Sequence, residues 1–353
     1  MGFVRAAVVT GAFPPSQRAV ATSVKHVVDA GWRCGHELLV VAPGTPLGPA
    51  SYRGVRVARP RAADSTAIAR ELRAFEPDVV HVADPRLLGA ATMRAARAVG
   101  VPVVASQHSI GSDRWGEWWS TIADSGADLT LATCRAARDA LTGAGVAASL
   151  WAPGVDADVF TPTMRVPELA QRFSRGGDLV VCHVGDVASP HVLRRLADVA
   201  SLPGVRLVVA RSGAAADRYR SALPQAKVLG DMSGVELAHV VASCDVLVQP
   251  RKKELDCHAV RRALAAGVPV VGMTAGGVGD VVAHEANGLL TDPRERHGLR
   301  ESVRRLREDR DLVARLASRA RDSVADRSWQ VAVTELAETH WNALRPAAIR
   351  HSG

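Results

Sequence analysis

Glu254 to Pro293 reads E-L-D-C-H-A-V-R-R-A-L-A-A-G-V-P-V-V-G-M-T-A-G-G-V-G-D-V-V-A-H-E-A-N-G-L-L-T-D-P, and its hydrophobic rhythm decides the fold. Residues 257–266 carry helical periodicity, and 268–272 form a short β-branched run without polar alternation. Such a run is the pattern of a strand buried on both faces of a parallel sheet. The glycine pair Gly276-Gly277 follows, and another short run begins at Gly288. Helix, strand, glycine turn and strand in this order imply βαβ construction.

The same alternation extends upstream. Strands are expected at 4–10, 37–42, 55–58, 79–82, 101–106 and 129–132, with helices over 17–30, 65–75, 86–99 and 134–141. The pattern restarts with strands at 179–184, 206–210, 227–229 and 245–249 and helices near 192–200, 214–222 and 234–242. Between the two series lie P-G-V-D-A-D-V-F-T-P (153–162) and Gly176-Gly177, which are turn chemistry. The fold class is therefore α/β, with two tandem Rossmann-like domains. Domains are expected over 1–160 and 161–326, with 327–353 a C-terminal helix and tail for which a return to the first domain is one option. Residues 299–344 carry helical i,i+4 charge pairing.

A chain of 353 residues has ample interior for two cores, and 47% hydrophobic with 23% charged residues is ordinary for a soluble globular protein. Basic residues outnumber acidic ones, 44 to 36, for a formal charge of +8. That balance permits contact with phosphorylated ligands or, less favoured, peripheral contact with an anionic membrane surface. An Arg- and Ala-rich composition of high-GC genomes explains it equally well. Nucleic acid is not expected as a partner. Cys34, Cys134, Cys182, Cys244 and Cys257 are scattered and odd in number, which fits reduced, buried thiols. The twelve histidines lack ligand spacing, so no metal is expected. The apolar start is too short for a signal peptide and no run reaches membrane-spanning length, so the expected location is cytoplasmic.

Several stretches add a family likeness. F-x-P at Phe13–Pro15, G-H-E-L-L-V-V-A-P-G at 35–44, F-E-P-D-V-V-H-V-A-D-P at 75–85, A-D-L-T-L-A at 127–132, P-G-V-D-x-x-x-F at 153–160 and R-S-W-Q at 327–330 occur in order with the opening stretch. Together they resemble the GT-B glycosyltransferases of family 4, closest to the actinobacterial mannosyltransferases that use GDP-mannose. The resemblance covers nearly the whole chain. It implies two Rossmann-like domains facing each other across a cleft and a nucleotide-sugar donor at the carboxyl ends of the strands. It further implies a retaining, metal-independent transfer with no cofactor beyond the GDP- or UDP-linked donor.

The resemblance also assigns residues. Glu254 is the carboxylate that approaches the transferred sugar, and His108, in Q-H-S after a first-domain strand, is placed against the donor sugar or acceptor. A satisfied loop histidine explains His108 equally well. Gly276 and Gly277 would follow a strand and open a helix, offering N–H groups to a phosphate, with a plain turn as the alternative. Asp156 orders the turn between the domains.

Four departures mark the donor region. The family's second glutamate is Arg262, a group with donors only, unable to accept from a ribose diol. Where the family has G-R-L-x-x-E-K, Gly185 is followed by Asp186, and His191 stands at the lysine position. Losing one group that stabilises a departing diphosphate typically costs roughly 3–4 kcal/mol. In the first domain Ala19 replaces a permissive glycine beside Arg18. Arg211 takes the place of an acidic residue, and Arg251, Lys252 and Lys253 precede Glu254. Either Arg18, Arg211, Arg251–Lys253 and Arg262 form a relocated phosphate clamp, or they are solvated loop charges.

Trp115, Trp118, Trp119 and Ile122 make an apolar helical stripe, for which core packing is favoured over an acceptor pocket or lipid contact. The expected function is sugar transfer from a nucleotide-sugar to a small-molecule acceptor. Specialised metabolism is favoured, because a housekeeping enzyme would keep the usual clamp. The alternative is a catalytically silent homologue that binds or stabilises a protein partner.

Overall fold

Valine-rich runs become central strands because they can be buried on both faces at once. The computed structural model describes residues 3–14, 16, 19–42, 48–60, 64–83, 89–108, 126–185, 189–210 and 215–344. The chain divides into two units, Met1–Gly154 with Trp329–Gly353, and Val155–Ser328. The sequence places the first boundary at 160. The structure moves it to Gly154 because Val155 and Phe160 are buried in the core of the second unit.

In the first unit the strands are β1 (Arg5–Thr10), β2 (Glu37–Val41), β3 (Ser51–Tyr52), β4 (Val55–Ala58), β5 (Val79–Ala83), β6 (Val103–Gln107), β7 (Leu129–Ala132) and β8 (Ala148–Leu150). They form one sheet in the order β3-β4-β2-β1-β5-β6-β7-β8, parallel except for the β3–β4 pair. Helices Ala19–Arg33, Ser65–Phe75, Gly89–Val99 and Arg135–Gly143 connect them. Ser65–Phe75 shows why the boundaries fall where they do. The Asp64 side chain accepts the Ala67 N–H at its start, and Glu76 turns left-handed (φ +50°) at its end.

The chain returns to this unit at its end. Helix Trp329–Glu335 packs on Ala19–Arg33 and widens into a π-helical turn over Leu336–Trp341. Trp329, Leu336 and Trp341 join the same core as Trp151, whose indole N–H donates to the Ala332 carbonyl at 2.8 Å. The segment is thus held by burial and by a satisfied buried donor.

The second unit has β9 (Leu179–Val184), β10 (Val205–Ala210), β11 (Lys227–Val228), β12 (Val246–Val248), β13 (Val270–Met273) and β14 (Gly288–Thr291). All are parallel, in the order β11-β10-β9-β12-β13-β14. Counted from β9 this is 3-2-1-4-5-6, the doubly wound order, whose direction of winding reverses between β9 and β12. Its helices include Pro190–Ala200, opened by a Ser189 cap and Pro190, and Gly234–Ala242, opened by a Ser233/Glu236 capping box. Val155 and Ser328 pair across a parallel bridge, so the two ends of this unit lie side by side. Among the described residues no helix is long and apolar enough to cross a membrane.

Candidate functional site

In a doubly wound sheet, the strand loops on either side of the reversal diverge and leave a crevice at the carboxyl ends of the strands. In the second unit that point lies between β9, ending in His183 and Val184, and β12, followed by Gln249 and Pro250. His183 is buried, with Nδ1 3.2 Å from the Val248 carbonyl and Nε2 3.3 Å from the Tyr219 hydroxyl. A carbonyl can only accept, so Nδ1 carries the proton and Nε2 accepts from Tyr219. Burial lowers the His183 pKa to about 4, against the Val248 carbonyl and with help from the Arg251 charge, so the ring is neutral. A Cβ at Gly185 would lie 3.0 Å from His183 Nε2, which explains the glycine after β9.

Helix Pro190–Ala200 sends Arg195 to the same place. Its Nη1 donates to the Pro250 carbonyl at 2.9 Å, and burial, then the neighbouring Arg194, lowers its pKa. His191, expected at the lysine position, is exposed instead and lies 2.6 Å from an Arg194 nitrogen.

The loop after β12 holds Glu254. Its carboxylate pairs with Arg251 at 3.0 Å and is only 15% exposed. Its carbonyl accepts the Gly277 N–H at 2.7 Å. This corrects the expectation for the glycine pair. The Gly277 N–H is directed at Glu254 rather than at a ligand, and the helix that follows, Val278–Val281, is a single turn. Gly276 has φ +66°, and a Cβ there would lie 2.4 Å from the Glu254 carbonyl oxygen. The pair therefore lets one loop pass close under another and fixes the position of Glu254.

Arg262 is also redirected. On helix His258–Ala265 it donates from Nη2 (2.9 Å) and Nε (3.3 Å) to one oxygen of Asp156, and its guanidinium lies 5.0 Å from the Phe160 ring centroid. The two side chains are 11% and 10% exposed. A guanidinium so engaged ties the entry segment of the unit to its core. Arg18, Asp186 and Arg211, with the stripe from Trp115 to Ile122, lie outside the described residues.

In the first unit His108 is buried just beyond β6. Its Nε2 lies 2.8 Å from the Ser106 hydroxyl, which lies 2.7 Å from Nε2 of His81 on β5. His81 stands edge-on to Trp151 and Trp341, and His108 edge-on to Trp151. Burial, with lesser repulsion from His108 and His340, drives the His81 pKa down to about 3. His81, Ser106 and His108 thus form a hydrogen-bonded row at the carboxyl end of the sheet, in which the His81 ring is neutral.

Sequence reasoning missed His81, His183 and Arg195. Both histidines sit inside apolar runs, V-V-H-V and V-V-C-H-V, where a buried polar group needs a partner. Arg195 stands four residues after His191, one turn on along the same helix face. Among the described residues no cluster of histidine, cysteine and carboxylate side chains is built to hold a metal.

Comparison with known proteins agrees with this architecture. The profile "Glycosyltransferase Family 4" matches residues 20–159, and "Glycosyl transferases group 1" matches residues 178–323. The chain is 37% identical over 371 residues to a GDP-mannose-dependent alpha-mannosyltransferase of Mycobacterium tuberculosis (strain CDC 1551 / Oshkosh), covering 97% of each chain. It is 35% identical to a protein of the same description from Mycolicibacterium smegmatis (strain ATCC 700084 / mc(2)155), over 94% of this chain and 96% of the relative. Its fold is similar to that of sucrose-phosphate synthase from Thermosynechococcus elongatus, with TM-score 0.84 and 16% identity over 96% of this chain and 99% of that one.

Proposed function

Because this chain belongs to the family 4 glycosyltransferases of GT-B fold, which move a sugar from a nucleotide-sugar donor, we propose that its donor is GDP-mannose and that transfer retains the anomeric configuration. The observation that carries the donor is the 37% identity to a GDP-mannose-dependent enzyme over 97% of the chain. The placement of Glu254, partly buried and fixed by Arg251 and the Gly277 N–H, supports its role beside the transferred sugar.

In this reading no protein nucleophile forms. The departing phosphate oxygen takes the proton of the acceptor hydroxyl on the face it leaves, while the new glycosidic bond forms on that same face. Glu254 orients the sugar ring, and His108, positioned by its Ser106 contact, hydrogen-bonds the sugar or acceptor. Metal is not required, since protein cations and hydrogen-bond donors take up the developing diphosphate charge. The acceptor is a small molecule of specialised metabolism, consistent with a donor region that departs from the family pattern at Asp186, His191 and Arg262.

The test is a donor panel of GDP-mannose, UDP-glucose and UDP-galactose, with release of nucleoside diphosphate followed in the presence and absence of EDTA. GDP release from GDP-mannose, unaltered by EDTA, is expected. Turnover of a UDP-sugar alone would replace the donor, and loss of activity with EDTA would refute metal independence. Binding of GDP-mannose without turnover in the presence of any acceptor supplied would favour the silent homologue.

A further inference from the structure

The geometry points to Arg195 as the cation that receives the donor's diphosphate, taking over from the family positions now occupied by Asp186 and His191. The inference rests on the nucleotide-sugar reading above and assigns a residue to it.

Four observations carry it. Arg195 reaches the Pro250 carbonyl at the carboxyl end of β12, beside the reversal point where a doubly wound sheet holds its ligand. Its guanidinium is partly withdrawn from water, and among the described residues no carboxylate lies within ion-pairing distance of it. A desolvated cation without a counter-charge favours an anion. Pro250 accepts from Nη1, so the remaining N–H groups stay available for oxygen ligands. Finally, four other cations of this unit are committed elsewhere: Arg262 to Asp156, Arg251 to Glu254, Arg165 and Arg310 to Asp245.

The position also explains how the substitution of His191 is tolerated. Arg195 is one helical turn beyond His191, and a helical side chain points back toward the helix N-terminus. The longer arginine side chain therefore recovers from the next turn the reach that a lysine has from the first. Its forked donors suit phosphate oxygens better than a point charge does.

The experiment is calorimetric titration of the full chain with GDP, GMP and inorganic pyrophosphate, for wild type, Arg195→Gln, Arg195→Lys and the surface control Arg220→Ala. Arg195→Gln is expected to weaken GDP and pyrophosphate binding about tenfold or more while leaving GMP nearly unchanged, since one charge-assisted contact is lost. Arg195→Lys should recover part of the loss, and Arg220→Ala should match wild type. Equal GDP affinity in Arg195→Gln and wild type would overturn the assignment. Equal loss of GDP and GMP would also overturn it, by marking a structural role. If wild type binds pyrophosphate through Arg195 but no nucleotide, the assignment stands and the donor reading falls. If it binds neither, both fall.

Discussion

Arg262 lays two nitrogens on a single oxygen of Asp156, at 2.9 and 3.3 Å, across 106 residues of sequence. The pair is nearly buried, so removing either partner breaks an ion pair that is withdrawn from water. Arg262→Ala is expected to destabilise the second unit by roughly 3 kcal/mol, mainly through the loss of its ion pair with Asp156. In a double-mutant cycle with Asp156→Ala, a coupling of about 1 kcal/mol or more is expected from urea denaturation. Additive losses would show that the two groups act independently. Arg262→Glu should be worse than alanine, because it opposes two carboxylates.

Gly276→Ala places a methyl group 2.4 Å from the Glu254 carbonyl oxygen at a backbone φ of +66°. The loop 251–256 must give way, taking Glu254 with it. A loss of roughly 2 kcal/mol in stability is expected from the strained backbone and the clash. Sugar transfer should fall further than the melting temperature suggests. A variant with wild-type turnover would mean that Glu254 does not depend on this turn.

Glu254→Gln keeps the shape of the side chain and removes its charge from Arg251. Transfer is expected to drop about 100-fold, the scale of losing one group that acts on the developing charge. Affinity for the free nucleoside diphosphate should change little, because the proposed role of the carboxylate is on the sugar. Matched calorimetry and turnover measurements separate the two effects, and parallel losses in both would move Glu254 out of the sugar site.

Acid should weaken both units. His183 and His81 have pKa values lowered from 6.5 to about 4 and about 3. Below pH 6.5 the unfolded chain binds protons that the folded rings refuse, so stability is complete above that pH and falls as pH decreases. Each histidine contributes a slope of about 1.4 kcal/mol per pH unit until its folded-state pKa is reached. Urea midpoints between pH 7 and pH 5 should fall for wild type, and less steeply for His183→Gln. An unchanged midpoint over that range would show that the rings take up protons in the folded state.

Much of the fold was legible because its strands are continuous apolar runs. Leu179–Val184 and Val55–Ala58 begin and end where the sequence puts them, as does the helix Ser65–Phe75 with its Asp64 cap. What escaped was short or atypical. Strand β8 is three residues of A-S-L with no β-branched side chain, and helix Pro167–Ser174 lies within the turn-rich connection. At the candidate site, the family resemblance assigned Glu254 and the glycine pair but not their hydrogen bonds. Arg262 stands where a ligand-facing carboxylate is expected, and only tertiary structure reveals Asp156 as its partner. Arg195 belongs to an amphipathic helix whose pattern reads as a solvated face, though its guanidinium reaches a strand end 55 residues away.

The first unit is assembled from stretches on both sides of the second, with Trp151 bonded to Ala332 and Trp341 sealed in its core. During synthesis those closing residues emerge only after all of Val155–Ser328, a continuous stretch free to fold as soon as it appears. Translation thus imposes an order in which the later half matures first and the earlier half stays open. Ribosomes stalled before residue 329 should carry a protease-resistant second half attached to a still-digestible first.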